Sequence, residues 1–225
     1  MFSIRVNGFI SLVAFLFAIS GLFATSAVAA AATPSEIKQR MGPGDPVAGK
    51  EKSAICQSCH GENGISADSS YPKLAGQFAS YIQKQIHQFK SGDRKDPMMS
   101  AMSQSAGSDQ DILDIAAYFA SQKQMKGTRR GLDKAGRAAY KRGKLIFRDG
   151  GNACNGCHGK KGKGLAPGRS EAPVIGGQHK DYIVKQLKDF AKRTRSNDPG
   201  GMMGVITGFM TLEDIDAVAT YLSTL

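Results

Sequence analysis

The sequence has no tryptophan, only four cysteines and only four histidines, and before Glu36 it carries a single charge, Arg5. With so few histidines, any site that uses imidazole has few ways to be built. Four cysteines in 225 residues are too few for a disulfide-dense scaffold. No stretch alternates apolar and polar residues for long enough to read as a strand, so a sheet-based fold is disfavoured. No run beyond the N-terminal segment is long and apolar enough to span a bilayer, which takes about 20 residues.

The near-absence of charge at the start has its own meaning. After Arg5 comes an apolar stretch from Phe9 to Phe23, followed by small residues through Ala32. This is the pattern of a secretory leader with an A-x-A type cleavage site, so residues 1–31 are expected to be removed on export. An uncleaved membrane anchor is the alternative. Acidic residues do not keep pace with basic ones in the second half. From Ala32 to Met125 ten basic residues face ten acidic ones, whereas from Lys126 to Leu225 nineteen face nine. An excess of that sign on one half suggests docking to an acidic surface, on a partner protein or an anionic membrane. Export disfavours nucleic acid as the partner.

What the sequence does contain, it contains twice. Cys56-Gln57-Ser58-Cys59-His60-Gly61 recurs 98 residues later as Cys154-Asn155-Gly156-Cys157-His158-Gly159. Leu74-Ala75-Gly76-Gln77 recurs as Ile175-Gly176-Gly177-Gln178. Tyr81-Ile82, Lys84-Gln85 and Phe89 recur as Tyr182-Ile183, Lys185-Gln186 and Phe190. Asp96-Pro97 with Met98-Met99 recurs as Asp198-Pro199 with Met202-Met203, and Asp111-Ile112 recurs as Asp214-Ile215. The common order predicts two homologous domains, 32–125 and 126–225, with residues 126–131 as a short glycine-bracketed linker.

Within each domain the pattern is helical. Asp45-Pro46 opens a helix expected to run into the first cysteine pair, and Lys134 to Phe147 is its counterpart. Gln77 to Lys90 and Gln178 to Lys192 place apolar residues at spacings of three and four. Ser108-x-x-Asp111 and Thr211-x-x-Asp214 are capping-box signals for a terminal helix in each domain. Gly61 to Gly76 and Gly159 to Gly177 read as long loops, and a loop of that length in a small domain generally wraps or does something. The fold class is all-α.

Each C-x-x-C-H brings two thiols and an imidazole within five residues. Two thiols at that spacing add across the two vinyl groups of a haem to form thioethers, and the adjacent histidine turns onto the iron. Cys56, Cys59, Cys154 and Cys157 are therefore expected to anchor two haem c groups, with His60 and His158 as axial ligands. A thioredoxin-like disulfide lacks its α/β setting here. A zinc site would have to pool ligands between domains. For the second axial position, His87 and His179 are unrepeated and read as surface or packing residues. Met99 and Met203 recur in the loop before the terminal helix, thirteen positions before Ile112 and twelve before Ile215. A thioether is an ordinary sixth ligand to haem iron. Met98, Met102 and Met202 are the alternatives.

With these residues in place, the sequence resembles the di-haem cytochromes c of the cytochrome c4 type, two class I cytochrome c domains in tandem. The likeness is carried by both C-x-x-C-H sites, Pro72 to Gln77, Tyr81 with Lys84-Gln85, Asp111 to Phe119 and Gly176-Gly177-Gln178. It implies His60 and Met99 on one iron, His158 and Met203 on the other, and a non-enzymatic electron carrier of the bacterial periplasm. It also implies redox partners such as a terminal oxidase or a dehydrogenase, and occasional peripheral membrane association. A haem-bearing subunit of a dehydrogenase, for example in sulfide oxidation, and a catalytic di-haem peroxidase are the competing readings.

Overall fold

The computed structural model describes residues 34–149, 154–165 and 171–225. The leader expected over residues 1–31 lies outside the described residues. Among those described there are helices and loops and no strands, and no helix is long and apolar enough to cross a membrane.

The N-terminal half runs α1 (Pro34–Met41), α2 (Pro46–Lys52), α3 (Ala54–His60), α4 (Ala79–Ser91), α5 (Pro97–Met102), a 3₁₀ turn and α6 (Asp109–Ser121). The C-terminal half runs α7 (Lys134–Asp149), α8 (Cys154–His158), α9 (Lys180–Ala191), a 3₁₀ turn, α10 (Met202–Gly208) and α11 (Leu212–Ser223). From α2 and α7 onward the two halves are copies of one unit. In each, the first helix of that unit crosses the last, with α2 on α6 and α7 on α11.

Both crossings are closed by a glycine. A Cβ on Gly49 would stand 1.9 Å from the carbonyl oxygen of Asp114, and one on Gly143 would stand 1.9 Å from that of Ala217. The backbones approach so closely that no side chain fits between them. The cores form beside these crossings. Ile112, Ile115, Ala116 and Phe119 line one, and Phe147, Val218, Ala219 and Leu222 line the other. Both expected capping boxes are present, with the Ser108 and Thr211 hydroxyls each accepting from the N3 amide and the N3 aspartate carboxylate accepting from the cap residue's own amide.

Two local expectations are corrected. The helix opened by Asp45-Pro46 does not continue unbroken to the cysteines. It is interrupted at Ser53, whose buried hydroxyl donates to the Lys50 carbonyl and accepts from Gln57. The methionine segments are not open loops. Asp96 caps α5, and Asp198 precedes a 3₁₀ turn that leads into α10, so Met99 lies in α5 and Met203 in α10.

The segment between the halves is tied down at its start. Met125 is fully buried with Phe78 and Val174. Its amide donates to Ala75, and the amide of Gly127 donates to the carbonyl of Leu225. Lys163 Nζ reaches back to the carbonyls of Met125 and Gly176 at 2.7 Å. Its burial, with Lys126, Lys73 and Lys161 nearby, pushes its pKa down to about 8.

Candidate haem sites

The two C-x-x-C-H segments form the short helices α3 and α8, so both thiols and the imidazole emerge within two turns. None of the four cysteines is in a disulfide. Cys56 packs against the first core and Cys154 against the second. Burial raises the thiol pKa of both, which keeps them protonated and apolar in the protein alone.

His60 and His158 are buried, at 5% and 7% exposure. Each is oriented by one contact. His60 Nδ1 lies 2.8 Å from the carbonyl oxygen of Pro72, and His158 Nδ1 lies 2.9 Å from that of Pro173. A carbonyl only accepts, so Nδ1 carries the proton and Nε2 keeps its lone pair. Desolvation lowers both pKa values, and a neutral imidazole is the form that binds metal.

The methionines are separated by their surroundings. Met98 and Met202 are exposed, at 54% and 56%, whereas Met99 and Met203 are half-buried. The amide of Met99 donates to Asp96 at 3.1 Å, and that of Met203 donates to Asp198 at 2.6 Å. The second half reaches the same contact across two more residues. Gly200 and Gly201 absorb them at φ 63° and 66°, in the left-handed region that glycine enters without strain. Met102 is half-buried too but lacks this aspartate contact.

The remaining histidines do other work. His87 is partly exposed, 3.8 Å from Asp109. His179 Nε2 meets the Ser66 hydroxyl at 2.9 Å and so joins the two halves.

Sequence reasoning did not assign the polar groups between the halves. Arg94, buried against Phe89, donates to Gln85, Tyr182 and Gln186. Arg195, over Phe190, donates to Gln186, Tyr81 and Gln85. Their partners Tyr81, Gln85, Tyr182 and Gln186 were visible as repeated residues. That one half's arginine meets the other half's tyrosine appears only in three dimensions.

A family model described as cytochrome c matches the chain twice, over residues 47–123 and 140–225. Cytochrome c4 of Pseudomonas aeruginosa is 42% identical over 181 residues, covering 80% of this chain and 88% of the relative. The chain belongs to the cytochrome c4 family. The crystal structure of reduced recombinant cytochrome c4 from Pseudomonas stutzeri superposes with a TM-score of 0.73 at 38% identity, over 81% of this chain and 99% of that one. A relative from Stutzerimonas stutzeri named thiosulfate dehydrogenase electron acceptor is 32% identical, over 74% of this chain and 76% of its own length.

Membership makes the chain a di-haem electron-transfer protein with two covalently bound haems c. The residues present fit that group. Each half offers two unpaired thiols beside a buried neutral imidazole, held by Nδ1 so that Nε2 is the nitrogen left to coordinate. A structural metal at the same cysteines has no ligand set, since no three His, Cys, Asp or Glu side chains converge among the described residues.

Proposed function

We propose that the chain is a periplasmic carrier that exchanges single electrons with partner proteins by outer-sphere transfer and does not itself catalyse a reaction. In this reading a leader over residues 1–31 is removed, and two haem domains, 32–125 and 126–225, meet at residues 126–131. Cys56 and Cys59 anchor one haem, and Cys154 and Cys157 the other. His60 with Met99, and His158 with Met203, are the axial pairs. The haem supplies a reversible one-electron iron couple whose potential is set by axial ligands, hydrogen bonding and burial.

The observation that carries the reading is the duplication of both supports. A proline carbonyl orients the histidine, and an aspartate pins the amide of the inner methionine, in each half. Two equivalent ligand pairs leave no coordination site for a substrate, which favours a carrier over a peroxidase. The basic excess of the C-terminal half suits a transient, charge-steered contact with an acidic partner such as a terminal oxidase.

The test is an absorption spectrum of the exported protein with haem counted per chain, repeated for Met99→Ala, Met203→Ala, Met98→Ala and Met202→Ala. Two haems per chain are expected. The methionine-to-iron band of the oxidised protein should halve in the first two variants and persist in the last two. Halving of the band with Met98→Ala or Met202→Ala would reassign the ligand.

A second reading of the donor rests on the thiosulfate dehydrogenase electron acceptor from Stutzerimonas stutzeri. The chain would then take electrons from a thiosulfate-oxidising enzyme. Reduction of the purified protein by such an enzyme and thiosulfate, slowed by added salt, is the expected result. A rate no faster than with thiosulfate alone rules this donor out.

A further inference from the structure

The carbonyl that orients each histidine belongs to a peptide group whose other end is held by the opposite half. The oxygen of Pro72 accepts from His60 at 2.8 Å. The amide of the same peptide group is that of Lys73, and it donates to Gln178 Oε1 at 2.9 Å. The side-chain Nε2 of Gln178 returns a bond to the Lys73 carbonyl at 2.9 Å. The mirror arrangement is complete. The oxygen of Pro173 accepts from His158 at 2.9 Å, the Val174 amide donates to Gln77 Oε1 at 2.8 Å, and Gln77 Nε2 donates to the Val174 carbonyl at 2.8 Å. Both glutamines are buried, at 4% and 5% exposure. Each glutamine oxygen also accepts from the next amide of its own chain, that of Phe78 or His179.

We infer that Gln178 and Gln77 are positioning residues that act across the domain boundary, each setting the electron-donating strength of the axial histidine in the other half. The inference rests on the proposed axial role of His60 and His158. The physical chain has three links. A peptide whose N–H donates carries more negative charge on its carbonyl oxygen, because hydrogen bonds in series polarise one another. A stronger acceptor at Nδ1–H draws the imidazole toward imidazolate character and makes Nε2 a better donor to a metal. A better donor favours the ferric state, so an intact relay lowers the reduction potential. Burial keeps water from substituting for the glutamine, and the low local polarity strengthens each bond. The signature is crossed, because a change in one half is read in the other.

The experiment uses the full-length protein with both haems attached. Gln178→Met and Gln77→Met keep the side-chain length and remove both cross-domain bonds. Each haem is titrated separately, by following its own methyl resonances in the proton NMR spectrum at a series of applied potentials. Gln178→Met is expected to raise the potential of the haem at Cys56 and Cys59, so that its reduced-to-oxidised ratio at fixed potential increases several-fold while the other haem stays put. Gln77→Met should do the reverse. A shift confined to the mutated half, or no shift in either, overturns the relay. If one variant fails to fold with two haems, the other tests its own arm independently. The oxidised wild-type spectrum separates this failure from that of the underlying reading. Absence of iron-shifted ring protons from His60 and His158 would remove the axial histidines themselves.

Discussion

Replacing Gly143 by alanine puts one carbon where the backbone of α11 already stands. The added Cβ would lie 1.9 Å from the Ala217 oxygen and 2.4 Å from its carbonyl carbon. Ordinary contact is roughly 3.5 Å, so α7 and α11 must separate by about 1.5 Å at the crossing. Both obstructing atoms are helix backbone and have no rotamer to change. The separation would loosen the packing of Phe147, Val218, Tyr221 and Leu222. Overpacking costs about 1–3 kcal/mol when side chains can yield, and here they cannot, so about 3 kcal/mol or more is expected. For a unit near 100 residues that corresponds to a fall of roughly 12–24 °C in the unfolding midpoint. Gly49→Ala should behave alike, because its Cβ would meet the Asp114 oxygen at the same distance. Gly208→Ala is the control. It lies in α10 with open space around its added carbon, and alanine there should stabilise by up to about 1 kcal/mol. The assay is thermal unfolding of the protein with both haems attached, followed by far-ultraviolet circular dichroism. A Gly143→Ala midpoint within 2 °C of wild type, taken as about the error of the measurement, would refute the close-crossing argument.

Removing the cap hydroxyl with Thr211→Ala loses the acceptor of the Asp214 amide and leaves only the Thr211 backbone N–H on the Asp214 carboxylate, which should cost about 1 kcal/mol, read as a drop of roughly 4–8 °C. Acid should weaken the N-terminal half through the Lys52 cluster. The Lys52 ammonium holds the Asp111 and Asp114 carboxylates below their usual range and is itself pushed up to about 12. For both aspartates the folded pKa is the lower one. Their contribution is therefore complete above the ordinary carboxylate value and disappears as pH falls through the folded values. For Lys52 the sign reverses, and its contribution is lost as pH rises toward 12. Midpoints measured from pH 6 down to pH 2 should fall less steeply in Lys52→Met than in wild type, and parallel curves would show that the cluster contributes nothing.

The sequence by itself determined the duplication, the helical class, the cysteines and histidines of both haem motifs, and the two capping boxes. Those features are local. A C-x-x-C-H spacing, a Ser-x-x-Asp or Thr-x-x-Asp box and a three-four apolar period are each completed by residues within a turn or two of one another, so chain order alone reveals them. The repeat also narrowed the methionines, but sequence left Met98, Met99, Met102, Met202 and Met203 all available. Tertiary structure gives the amides of Met99 and Met203 an aspartate contact, which survives the insertion of Gly200 and Gly201 because a positive-φ pair takes up the extra length.

Other features depended on residues far apart in the chain meeting. The closeness of Gly49 and Gly143 to a neighbouring backbone exists only once the crossing helix is placed against them. Gln77 and Gln178 read as the tails of a repeated motif. Their partners lie 97 and 105 residues away, a separation that no periodicity encodes. What tertiary structure alone decided is how the two copies meet, because each motif's hydrogen bonds are completed by the backbone of the other half.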